Sequence, residues 1–129
     1  EHIHQLNPLI EKLKAMLKHE GKLIIAVPNI NSFDAEYFQE FWAAYDVPRH
    51  LYHFNDQSIK HLFEKHGFHI DKKYPMKLDS YYVSMLSNEH KYGSKKLIRS
   101  FFDGLKSNNR AKRFKNSYSS TIYIISHKN

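Results

Sequence analysis

Five apolar residues in unbroken succession, Leu23, Ile24, Ile25, Ala26 and Val27, constrain this chain more than any other feature. A strand with one wet face alternates apolar and polar residues, so a run without polar interruption reads as a strand covered on both sides. Pro28 and Asn29 end it. Upstream, Asn7 and Pro8 read as an N-cap followed by proline at the first helical position, and Leu9, Leu13, Met16 and Leu17 recur at helical spacing until Gly21. A helix leading into a doubly covered strand is the half-unit of a parallel α/β sheet.

The rest of the chain fits that class. Residues 32–44 carry Phe33, Tyr37, Phe38, Phe41 and Trp42 at helical spacing behind Ser32 or Asp34 as cap. Asn55 or Asp56 caps a second helix with Ile59, Leu62 and Phe63 as its apolar stripe and Gly67 as its C-terminal stop. "FHIDKKY" alternates as a strand, and "STIYIISHK" is a β-branched strand. Two helices are predicted between them, over 80–91 with Tyr81, Tyr82, Met85 and Leu86, and over 94–107 with Leu97, Ile98, Phe101, Phe102 and Leu105. Nothing resembling a linker or repeat divides residues 1–129, which are read as one domain.

The function classes are narrowed by what is missing. No apolar run approaches the roughly 18 residues of a membrane span and no basic-then-apolar leader is present, so a cytoplasmic protein without a membrane partner is expected. Zero cysteines exclude disulfides and thiolate metal sites. The net charge of +7 favours anionic partners, and residues 91–115 hold nine Lys and Arg against Asp103 alone. That stretch reads as a solvated face or a local anion site. No base-reading motif accompanies it, and nucleic acid is not the expected partner.

Two segments, "EHIHQLNPLIEKLKAMLKHEGKLIIAVPN" and "PRHLYHF" running into "NDQSIKHLFEKHGF", resemble the C-terminal half of a class I S-adenosylmethionine-dependent methyltransferase of the bacterial small-molecule type, with a Rossmann-like sheet. The resemblance implies an α/β fold in which this chain supplies the fifth, sixth and seventh strands with flanking helices. The seventh would be antiparallel, beside the fifth, with the sixth outermost. It also implies S-adenosylmethionine as cofactor of the parent enzyme. Such enzymes hold it with a glycine-rich turn and an acidic strand end, and this chain shows neither. The chain is therefore read as part of a longer parent, inactive by itself.

In an open α/β sheet, ligands sit beyond the carboxyl ends of the strands. Glu1, His2, His4, Asn29, Asn31, Arg49, His50, Tyr52 and His53 fall on such loops. Methyl transfer to oxygen or nitrogen needs an aligned acceptor and often a base, a role that suits histidine. His2, His50 and His53 are the catalytic candidates, and Asn29, Arg49 and Tyr52 the substrate-binding ones, for a small-molecule substrate. The plainer readings stand beside these. His2 would cap a helix, His53 would be half buried against backbone, Tyr52 would pack near Ile59, and Arg49 would pair with Glu40 or Asp46. The HxxH at 50–53 without further ligands is a weak metal signal, and no metal is assigned. The competing function is a basic, non-catalytic module that binds nucleic acid or a protein partner. An edge of the fifth strand left open would also favour self-association of the isolated chain.

Overall fold

A computed structural model describes residues 1–114 and 117–128; of the basic stretch, Lys115 lies outside them. Three strands form one sheet: β1 (Leu23–Pro28), β2 (Phe68–Pro75) and β3 (Ser120–His127), in the order β1-β3-β2. The last strand is antiparallel to both neighbours, with Ile25 opposite Tyr123 and Ile70 opposite Ile125. This is the arrangement that the resemblance implied for fifth, seventh and sixth strands. β1 and β2 consequently run the same way, and Pro28 and Pro75 mark their carboxyl ends at one edge of the molecule.

One face of the sheet is packed. Helix α1 (Leu6–Met16) contributes Ile10, and helix α3 (Asp56–Lys65) contributes Ile59 and Phe63, against Val27, Phe68, Tyr123 and Ile125. Phe68 and Ile125 are fully buried, each removing an entire apolar side chain from water, about 1.5–3 kcal/mol apiece. The α3 start follows its sequence signal: Asn55 accepts from the Ser58 backbone N–H while Ser58 Oγ accepts from the Asn55 backbone N–H, a reciprocal capping box. Gly67 follows at φ +79°, the left-handed conformation that a helix stop requires.

Elsewhere the structure departs from the sequence expectations. β1 is covered on one side only among the described residues: Leu23, Ile25 and Val27 meet the core, while Ile24 is 72% exposed. Helix α1 begins before Asn7, whose side-chain oxygen accepts from His66 Nε2 at 2.8 Å instead of capping, and it stops at Met16. The expected helix over 32–44 is α2 (Phe33–Phe38) followed by two 3-10 turns, with Gln39 at φ +53°. The break has a packing reason. It turns Phe38 and Trp42 together into a second core with Ala35, Ala44 and Val83.

Helices α4 (Asp79–Tyr92) and α5 (Leu97–Arg113) form a hairpin between β2 and β3. They meet through small and polar residues, Ser80, Ser84, Ser87 and Asn88 against Ser100, Asp103, Gly104 and Ser107. Gly104 is what lets the backbones close: a Cβ there would stand 2.9 Å from Tyr81 Cα. The apolar residues Leu97, Ile98, Phe101 and Phe102 face outward instead.

The sheet is also tied to α3 by polar bonds. Tyr123 Oη donates to Asp56 Oδ1 at 2.6 Å and Lys73 Nζ to Asp56 Oδ2 at 2.6 Å. Burial pushes the Asp56 carboxyl up, but these two bonds outweigh it and hold the group below the usual carboxylate range. Burial and the same carboxylate push the Tyr123 phenol up. A carboxylate depressed in the folded state adds stability above its unfolded pKa and loses it as pH falls through the folded value. Tyr123→Phe is therefore expected to cost about 1 kcal/mol near neutrality, with the difference from wild type narrowing below about pH 4, as read by denaturant unfolding across pH. The outer flank of β1 has no strand partner among the described residues. Light scattering at micromolar concentration is expected to show a dimer of the isolated chain, and a monomer with protected amides at residues 23–27 would contradict this.

Candidate functional site

Beyond the carboxyl end of β1 the chain folds two distant segments into one surface. The N-terminal residues lie along the loop that follows the 3-10 turns: Leu51 N–H donates to Glu1 O at 2.8 Å, and Tyr52 Oη donates to His4 O at 3.0 Å. The loop returns to the sheet where Phe54 bridges Asn29 in parallel and accepts from Ile30 N–H at 2.9 Å. Asp46, at φ +42°, opens this loop, and its carbonyl accepts from His50 N–H at 3.0 Å.

This stitching brings His2 and His50 together, with ring centres 4.7 Å apart and His53 a further 6.4 Å from His50. Each imidazole is fixed by a backbone carbonyl. His50 Nδ1 donates to Ala44 O at 2.9 Å, His2 Nδ1 to Arg49 O at 3.2 Å, and His53 Nε2 to Tyr45 O at 2.9 Å. A carbonyl only accepts, so these contacts define which nitrogen carries hydrogen in the neutral ring. His2 and His50 keep Nε2 free, while His53 keeps Nδ1. The free Nε2 of His50 faces Glu1 Oε1 at 3.6 Å and Asp46 Oδ2 at 3.7 Å, and that of His2 faces Glu1 Oε1 at 3.8 Å.

The remaining candidates are placed as follows. Arg49 pairs with Asp46, Nη2 to Oδ1 at 2.8 Å and Nε to Oδ1 at 3.1 Å, with its side chain largely in solvent. Tyr52 stacks on Phe54 and lies beside His4 and the start of α1. Asn29 is buried, and its side chain is spent on backbone, accepting from Asn31 N–H within its own turn at 3.0 Å and donating across to Tyr118 O at 3.3 Å. Asn29 does line a separate cleft of about 730 Å³ at the same end of the sheet.

That cleft was not singled out from the sequence. It is walled by Asn31, Phe33, Glu36, Asp56, Gln57, Arg110 and Arg113. Arg110 lies over the Phe33 and Phe114 rings, 5.0 and 5.2 Å from their centres, which fixes its guanidinium at the rim. The basic stretch was the available signal, in its reading as a local anion site. Beneath the cleft wall, Asp34 is buried and accepts from Ser107 Oγ at 2.5 Å; burial pushes its carboxyl up against that bond.

Gly21 follows α1, Gly67 and Gly93 close α3 and α4, and Gly104 sits inside α5, so no glycine lies in a turn leading from a strand into a helix. No helix among the described residues is long and apolar enough to cross a membrane.

A family profile described as "Methyltransferase domain" matches residues 1–73. No curated protein and no solved structure matches the chain. The matched span runs from Glu1 through β1, the histidine loop and α3 into β2, which is more than half of the 129 residues and holds every residue of the histidine cluster. The chain belongs to the methyltransferase domain family of the class I type.

Proposed function

We propose that this chain is the acceptor-side part of an S-adenosylmethionine-dependent methyltransferase acting on a small molecule. The observation that carries the reading is the pair of imidazoles, His2 and His50, whose Nδ1–H groups are spent on backbone carbonyls and whose Nε2 atoms face one shared space beyond β1. An imidazole fixed in orientation and tautomer is what proton removal from an acceptor hydroxyl or amine requires. The cofactor would supply an electrophilic methyl group on a sulfonium, and its cradle would come from parts of the parent protein outside these residues.

Within this chain the division of labour is as follows. His50, half buried and held from Ala44, takes the proton of the acceptor at Nε2. His53 orders Tyr45 and the packing around Trp42, its ring edge-on to Tyr45 at 5.3 Å. Arg110 and Arg113 hold an anionic part of the acceptor in the neighbouring cleft. Arg49 shapes the site indirectly, by orienting Asp46. No specific observation favours the basic-module alternative: Arg99 lies over Tyr92 and Lys106 over Phe33, and Arg110 is assigned to the cleft.

In the parent enzyme, His50→Ala is expected to lower turnover about 100-fold and His53→Ala to lower turnover or acceptor affinity to a smaller extent. Both changes should exceed the accompanying loss of stability when steady-state kinetics and denaturant unfolding are compared. Variants that lose several kcal/mol of stability with kinetics unchanged would show the loop to be packing alone.

A further inference from the structure

The histidine cluster contains a conflict that the proton-transfer reading leaves standing. Glu1, His2 and His50 each bring a ligand atom to within 4.8 Å of the others; Glu1 Oε1 stands 3.6 Å from His50 Nε2 and 3.8 Å from His2 Nε2, and Asp46 Oδ2 is 3.7 Å from His50 Nε2. Because both Nδ1 atoms donate to carbonyls, both Nε2 atoms of the neutral rings are lone pairs. In the neutral rings these lone pairs therefore stand near carboxylate oxygens with no hydrogen between them. The separations of 3.6, 3.7 and 3.8 Å exceed the roughly 3.2 Å limit of a hydrogen bond, so protonating a ring would not close them as they stand. Glu1 Oε2, shielded from solvent, has no hydrogen-bond partner.

We propose that Glu1, His2 and His50 bind a divalent first-row transition-metal cation, with Asp46 beside it as a fourth ligand or as the acceptor of a bound water. Ligands about 2.1 Å from a tetrahedral ion stand about 3.4 Å from each other, close to the separations seen here. Two imidazole nitrogens and a carboxylate suit zinc, manganese or iron rather than calcium. The Nδ1–H bonds to Ala44 and Arg49 carbonyls are the outer support that orients metal-binding histidines. Arg49, donating to Asp46, offsets part of the second carboxylate's charge.

This departs from the expectation of no metal, which considered only the HxxH pair. His53 points its Nε2 at Tyr45, and the partner of His50 is His2, brought in by the Leu51–Glu1 and His2–Arg49 bonds. For the role of the ion, the inference rests on the methyltransferase reading: a metal here would bind the acceptor oxygen and lower its pKa, and because the His50 Nε2 lone pair is then spent on the ion the proton would pass to water, or to Asp46 where that carboxylate is not itself a ligand. Binding itself does not depend on that reading.

The test is calorimetric titration of the chelator-stripped full chain with zinc chloride and with manganese chloride. One site with a dissociation constant in the micromolar range or tighter for at least one of the two metals is expected. His2→Ala, at an exposed position, and Glu1→Gln should each weaken it at least tenfold. His50→Ala should do the same where circular dichroism shows that it folds. A double substitution of the exposed His19 and His90 by Ala should leave binding unchanged. Zinc should also shift the Nε2 resonances of His2 and His50 and no others. Binding no tighter than millimolar with either metal, or binding that survives the His2 and Glu1 substitutions, overturns the proposal. A metal-free chain whose parent still loses turnover on His50→Ala would overturn this inference and keep the proposed function. Tight binding at these residues with turnover unchanged in their variants would do the reverse.

Discussion

β1 and β2 do not pair with each other; in the sheet each pairs with β3. The last described segment is thus the centre of the one sheet that the described residues form. Both earlier strands depend on it for every ladder hydrogen bond. Tyr123, in the middle of that strand, is buried against the α3 side and reaches Asp56 at the start of the helix. Ile125 is fully buried on the same side. A sheet assembled this way requires contacts of long sequence separation, whose loop-closure entropy cost exceeds that of the local structure of α3.

The site depends on the same constraint. β3 fixes the end of β1, and Asn29 accepts the chain there: its backbone N–H donates to Ser119 O at 2.8 Å, and its side chain closes the turn. From that anchored end the bridge to Phe54 places the histidine loop, and the loop in turn collects Glu1 and His2. The three imidazoles are therefore positioned by backbone hydrogen bonds. Such positioning keeps the imidazoles in one orientation without a bound ligand.

What was legible in the sequence was local. Asn55 as a cap, Gly67 as a helix stop and the β-branched final strand all act through residues a few positions apart, and each element formed where its signal lay. What the sequence concealed was tertiary. Asn7 has the chemistry of a cap, yet His66, far along the chain, claims its side-chain oxygen. Phe33 through Trp42 keep a helical period, but two aromatics needed in one core forced a break at Gln39. α5 has an apolar stripe that reads as buried, whereas Gly104 and the serines allow a closer helix contact on the opposite side. The family was legible from two segments. The pairing of His2 with His50 was not, because the contacts that make it run through backbone carbonyls that carry no residue identity.

The tautomers of His2 and His50 are the shared foundation of the proton-transfer and metal-binding readings, and they are directly measurable. Nitrogen-15 NMR of the imidazoles, recorded in metal-free buffer at a pH where the rings are neutral, distinguishes a protonated Nδ1 from a protonated Nε2 by chemical shift. Hydrogen is expected on Nδ1 in His2 and His50 and on Nε2 in His53, the pattern set by the Arg49, Ala44 and Tyr45 carbonyls. Hydrogen on Nε2 of His50, or rapid averaging between its two nitrogens, would contradict the fixed geometry from which the function was argued.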